Sequence, residues 1–230
     1  MTKTCISHLV IIFSMACVPL QAQQLKQHYD PSAEAFNATV ILDKSGNVYD
    51  GSPLNGTSIS DPVRLLAEFD FSSASDIAGT YTGTLHNGAE LISYGRSGVL
   101  GLGDQNGYFD LSSSFGNVIA GLDSFSVFTT LFIPESTPIH ENGNFIWTFA
   151  NSGNMATDAN GNMFFSAIST RYAISKTAWW DESELEANNP FPKGRWVNLV
   201  YTQHEGQGSI YLDSTLVAGG PVGVLPAELG

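Results

Sequence analysis

The sequence predicts an all-β protein, an antiparallel jelly-roll β-sandwich, and three observations carry that prediction. Glycine fills 23 of 230 positions, too many for a helical bundle and in keeping with a turn-rich chain. Short apolar runs, rich in β-branched and aromatic residues, recur between separators of Gly, Asn, Asp, Ser and Pro. That is the spacing of sandwich strands. No long stretch has helical periodicity.

The first segment is an address. Residues 1–22 carry Lys3, an apolar centre over Leu9 to Met15, and a cleavage region from Pro19 to Ala22. This is the build of a secretory signal peptide, too short to span a bilayer. Cleavage is expected after Ala22, although Leu20 is large for the position it takes. The rival reading is a lipoprotein box at Ser14-Met15-Ala16-Cys17, in which Ser14 fits badly. The two cysteines, Cys5 and Cys17, both lie here, so a cleaved chain has no disulfide and no thiolate metal site. The expected location is secreted, periplasmic or cell-surface.

Residues 23–63 read as a polar leader or linker broken by Asp30-Pro31, Ser45-Gly46, Asp50-Gly51 and Asn55-Gly56. A small hairpin over Thr39 to Leu42 and Val48-Tyr49 is its one candidate element. From residue 64 to 230 the strand texture is continuous. Strands are expected over Leu65–Phe71, Ala89–Tyr94, Val99–Leu102, Tyr108–Leu111, Phe125–Ile133 and Phe145–Ala150. They continue over Met163–Ile168, Tyr172–Ile174, Trp196–Thr202, Ser209–Leu212 and Leu216–Ala218. Hairpin turns are expected at Asn160-Gly161 and at Asp213-Ser214-Thr215. The one helical turn foreseen is Asp181 to Asn188, ended by Pro190.

Charge narrows the partners. Nine Lys and Arg stand against 22 Asp and Glu, a formal charge of −13, and only 13% of residues are charged. Nucleic acid and anionic membrane are excluded as partners. The balance suits a secreted domain that meets uncharged ligands such as sugars.

Four stretches carry a family resemblance: Leu66-Ala-Glu-Phe-Asp-Phe71, Gly107-Tyr-Phe-Asp-Leu111, Phe125 to Ile133, and Gly194-Arg-Trp-Val-Asn-Leu-Val-Tyr-Thr202 with the hairpin Gly208 to Ala218. Their order resembles the laminin-G-like, concanavalin A-like jelly roll in its bacterial secreted form. Phe145 to Ile174 is similar to the module found ahead of catalytic domains in arabinosidase-type glycoside hydrolases. The resemblance implies a non-catalytic, lectin-like domain that binds neutral polysaccharide or oligosaccharide, or serves a catalytic domain in the same parent chain. Alternatives are the N-terminal part of a glycoside hydrolase and a protein-interaction or adhesion module. The hairpin turn has Asp213-Ser214 where the family usually has Asp-Gly. Relatives close by pairing a final strand with the first, and no such strand follows Leu225. The expectation is a domain lacking its final strand, or one whose gap is filled by Thr39 to Leu42.

Candidate sites follow. Glu182, Glu184 and Glu186 alternate, so on a strand they would share one face and resemble the carboxylate row of catalytic jelly rolls; the competing reading is a solvated acidic loop. Trp179 and Trp180 precede them, one expected in the core and one partly exposed, where an indole face stacks on a sugar ring. Asp104 and Asn106 form an oxygen-rich turn, and the resemblance makes Ca2+ a possible ligand there; a plain turn is the alternative. Asp158, Asn160 and Asn162 pose the same choice. His28, His86, His140 and His204 have no metal-ligand spacing, and no nucleophile elbow or phosphate loop is present.

Overall fold

The computed structural model describes residues 65–94, 97–140, 144–150, 161–177 and 179–229, together with a two-residue strand, β1 (His8–Leu9). The rest of the expected signal segment, the expected leader with its candidate hairpin over Thr39 to Leu42, Cys5, Cys17, Asp158 and Asn160 lie outside the described residues.

Two four-stranded antiparallel sheets form the body. One has β6 (Phe125–Phe132), β11 (Trp196–His204), β12 (Gln207–Leu212) and β13 (Thr215–Pro221) in the order β13-β12-β11-β6. The other is a meander of β7 (Phe145–Ala150), β8 (Asn162–Ser166), β9 (Arg171–Ser175) and β10 (Ser183–Glu186) in the order β10-β9-β8-β7. Strict alternation aims Val197, Leu199, Tyr201 and Gln203 of β11 inward, opposite Met163, Phe165, Tyr172 and Ile174 of the meander. The protein is an all-β sandwich.

At the centre the rings of Tyr172 and Tyr201 stack 3.8 Å apart. Both hydroxyls donate to Gln203 Oε1, at 3.2 and 2.9 Å, and Gln203 Nε2 donates to the Val224 carbonyl at 2.7 Å. This buried polar knot joins the two sheets to the segment after β13. Burial, the largest influence, pushes both phenols well above the usual tyrosine range. Along one side Leu185 of β10 packs into the same core, and Ser183 Oγ accepts the Gly223 N–H at 2.8 Å.

A smaller layer precedes the sandwich. The ribbon of β2 (Thr84–His86) and β5 (Tyr108–Asp110) and the hairpin of β3 (Glu90–Tyr94) and β4 (Ser97–Gly101), with β1 paired on β4, surround Phe69, Phe71 and Leu100. Phe109 meets Phe69 and Phe71 edge-on at 5.6 and 5.5 Å.

Three expectations need correction. The opening strand over Leu65–Phe71 does not form: those residues join no ladder. Asp70 Oδ1 accepts the Ser72 N–H at 2.9 Å and Phe71 takes φ +54°, so a side-chain-closed turn breaks the strand while its rings still fill the core. The helical turn expected over Asp181 to Asn188 is instead strand β10, because cross-strand pairing with β9 outweighs weak local propensity. A helix that the sequence reading missed, α1 (Ser112–Ile119), follows β5 and buries Phe115 and Ile119, one turn apart.

The β12–β13 hairpin forms as expected; β7 and β8 pair from Ala150 and Asn162 outward, and the turn expected at Asn160-Gly161 lies in part outside the described residues. A third, β11–β12, turns on Glu205-Gly206, with φ +47° and +72°. In β12–β13, Asp213 and Ser214 hold φ +47° and +70°, the left-handed pair that a two-residue hairpin demands. Asp213 Oδ1 accepts the Asn198 N–H at 2.9 Å and Oδ2 meets Arg195 at 2.5 Å. Partial burial is the largest influence and opposes ionisation, but these partners together hold the Asp213 carboxyl below its usual range. Ser214 carries left-handed strain of about 1 kcal/mol that glycine avoids. Ser214→Gly is therefore expected to stabilise the fold by about 0.5 kcal/mol once glycine's greater chain entropy is subtracted, and so to raise the denaturant midpoint. A lowered midpoint would contradict this.

Candidate functional site

The outward face of the meander sheet gathers most of the chemistry the sequence singled out. Register sets it: Glu184 pairs with Ala173 and Glu186 with Arg171, while Phe164 pairs with Ala173 and Asn162 with Ser175. All these side chains point away from the core shared by Tyr172 and Leu185.

Arg171 is the hub. Its Nε donates to Glu184 Oε2 at 2.7 Å, and its Nη2 bonds Glu182 Oε2. Its guanidinium lies 5.4 Å from the centre of the Phe164 ring, within cation–π range. Phe145 meets Phe164 edge-on at 4.9 Å. Burial is the largest influence on Arg171 and works against its charge, yet the two carboxylates outweigh it and raise its pKa. The side chain of Glu182 is 12% exposed and that of Glu184 50%.

Next to this cluster, a one-turn 3₁₀ helix, Trp179–Asp181, forms the rim. Asp181 accepts hydrogen bonds from the hydroxyls of Ser175 and Thr177, the second at 2.6 Å, and Ser175 Oγ accepts the Thr177 N–H at 3.1 Å. The turn is thereby pinned to the end of β9. Trp180, at its centre, is 67% exposed. A rigid support under an exposed indole keeps the entropy cost of stacking low.

Glu182 and Glu184 are thus joined through Arg171, at and just before strand β10 rather than on a solvated loop, and Trp180 lies two residues before Glu182 in the rim turn. Trp179 shares the rim turn. Sequence reading missed Arg171 and Asp181. The available signal was an arginine heading a strand in a chain poor in basic residues, together with a carboxylate just after two tryptophans.

The oxygen-rich candidates stand elsewhere. Asp104 Oδ1 accepts from Gln105 Nε2 at 3.0 Å, and the Asn106 carbonyl accepts from Asn87 Nδ2 at 3.4 Å. Asn106 takes φ +55°, so both serve the turn before β5. Asn162 begins β8, buried, with its Oδ1 unpartnered. Among the described residues no three His, Cys, Asp or Glu cluster as metal ligands, and no helix is long and apolar enough to cross a membrane.

No protein-family model matches the sequence, and no curated protein matches it. Among solved structures, the chain is similar to domain 4 of AbnA, an extracellular GH43 arabinanase from Geobacillus stearothermophilus, solved in complex with arabinotriose. The two are 16% identical, with a TM-score of 0.49 over 66% of this chain and 72% of that one.

Glycoside hydrolysis needs one protonated and one ionised carboxyl on either side of a bond. Glu182 and Glu184 instead both bond the single guanidinium of Arg171.

Proposed function

We propose that this chain is a secreted, non-catalytic carbohydrate-binding module of the laminin-G-like kind, an accessory to a polysaccharide-degrading system. The observation that carries the reading is Trp180: a large indole, 67% exposed, on a turn braced by Asp181 and next to the Arg171–Glu182–Glu184 cluster. The indole face suits the apolar C–H face of a sugar, and the half-exposed Glu184 can accept from its hydroxyls. The low charge content of the chain, 13%, fits a neutral ligand. The pairing of both glutamates with Arg171 supports the non-catalytic part.

Affinity electrophoresis through gels containing neutral polysaccharides (arabinan, xylan, mixed-linkage glucan) tests it. The expected result is retardation by at least one, with apparent affinity about tenfold or more weaker in Trp180→Ala, the cost of a central aromatic anchor. Passage of the unaltered protein without retardation through every gel would refute the reading. Glucan or arabinan hydrolysis that is lost in Glu184→Gln would refute its non-catalytic part.

A further inference from the structure

We infer that Glu182 and Glu184 set the charge specificity of the rim around Trp180: by occupying the guanidinium of Arg171 they turn away acidic sugars and leave the surface to neutral ones. This rests on the carbohydrate-binding reading and deepens it, because it assigns the selection to named side chains rather than to the charge of the whole chain.

An indole face does not by itself read charge. The apolar C–H face of a uronic acid stacks on it as that of the neutral parent sugar does, so discrimination must come from the polar groups around the ring. Trp180 lies two residues before Glu182, and two residues of chain span at most about 7 Å. A sugar stacked on the indole therefore has its substituents within reach of the charged groups that follow.

The decisive point is how the positive charges are engaged. Between residues 171 and 186 the chain carries Arg171 and Lys176 against Asp181, Glu182, Glu184 and Glu186. An arginine grips a carboxylate best side-on, through two parallel N–H donors. In Arg171 that edge is filled. Nε donates to Glu184 Oε2 at 2.7 Å, and Nη2 bonds Glu182 and lies 2.6 Å from Glu184 Oε2. Lys176 is no substitute, because its Nζ meets Glu228 Oε1 at 2.5 Å. A uronate brought to this rim gives up hydration, meets like charge and finds both cations already paired. A hydroxyl in the same place meets carboxylate oxygens that accept from it. Glu182 and Arg171 are both largely buried, so salt screens this balance less than it would on an open surface.

The probes are the neutral polysaccharide that retards the unaltered protein, its carboxymethyl derivative, and its hydroxyethyl derivative as a neutral control of similar bulk. Affinity electrophoresis at one fixed salt concentration gives the ratio of apparent affinities for the hydroxyethyl and carboxymethyl forms. Reading a ratio cancels any general weakening from the loss of Glu184 as a hydroxyl acceptor. The unaltered protein should prefer the hydroxyethyl form by about tenfold or more. Glu182→Gln/Glu184→Gln, which releases Arg171, should lower the ratio about tenfold, the worth of a charge-assisted pair. Glu90→Gln/Asp104→Asn changes the net charge equally in the smaller layer and should leave the ratio within about twofold. Circular dichroism checks folding; should the first pair unfold, Glu184→Gln alone, at the half-exposed member, must lower the ratio. The inference is overturned if the unaltered protein binds both derivatives alike, or if Glu182→Gln/Glu184→Gln leaves the ratio unchanged. It is equally overturned if the two paired variants lower the ratio alike, which makes overall charge the cause. If no polysaccharide retards the unaltered protein, the carbohydrate-binding reading itself fails and this inference goes with it.

Discussion

Gln203→Leu is expected to destabilise the fold by about 3 kcal/mol, because two buried hydroxyls and one half-buried carbonyl lose a partner at once and each buried group costs about 1–3 kcal/mol unmade. The hydroxyls of Tyr172 and Tyr201 both donate to Gln203 Oε1, and the Val224 carbonyl accepts from Gln203 Nε2. All three side chains are at most 1% exposed, so water cannot substitute. For a domain of this size the melting temperature should fall roughly 10 °C. Tyr172→Phe is the informative partner variant. It removes one donor and leaves Gln203 Oε1 bonded to Tyr201, so the cost should be near 1 kcal/mol. Equal losses in the two variants would mean that shape rather than hydrogen bonding holds this part of the core.

Gly98→Ala is expected to cost at least about 3 kcal/mol and to lower soluble yield. A Cβ at this position would lie 1.9 Å from the Phe71 carbonyl oxygen and 2.5 Å from the Ser72 nitrogen. Those are backbone atoms of the turn that Asp70 closes, so relief requires moving the turn and with it the buried ring of Phe71. Gly116→Ala supplies the contrast. It lies in α1, where an added Cβ meets nothing within 4 Å, and alanine gains up to about 1 kcal/mol there. Urea unfolding of both variants checks the pair. A Gly98→Ala midpoint equal to that of the unaltered protein would mean that the turn at Phe71 yields easily.

Much of the sandwich was readable in advance because a strand with one buried face writes itself as alternation. In β11, Val197, Leu199 and Tyr201 alternate with Asn198, Val200 and Thr202, and β7 begins and ends where its apolar run does. β10 was harder. Three glutamates read as solvated until Arg171, on the neighbouring strand, supplies a charge partner for two of them, Glu182 and Glu184. Helix α1 escaped because its pattern rests on one pair, Phe115 and Ile119. Leu65–Phe71 misled in the other direction: its apolar spacing serves a core, but Asp70 turns the chain before any ladder can form.

The candidate site divides in the same way. The shared face of the glutamates follows from local pattern, since period-two alternation is a property of the chain alone, whereas the choice between Trp179 and Trp180 as the exposed indole does not. What only the tertiary structure decided is which side chains stand beside one another. Arg171 reaches Glu182 and Glu184 across a strand boundary, and the cross-strand row Phe128, Val200, Tyr211 and Leu216 takes its four members from four strands. Such rows depend on register, and register is set by which faces bury and how the hairpins turn, a choice that no single stretch of sequence contains.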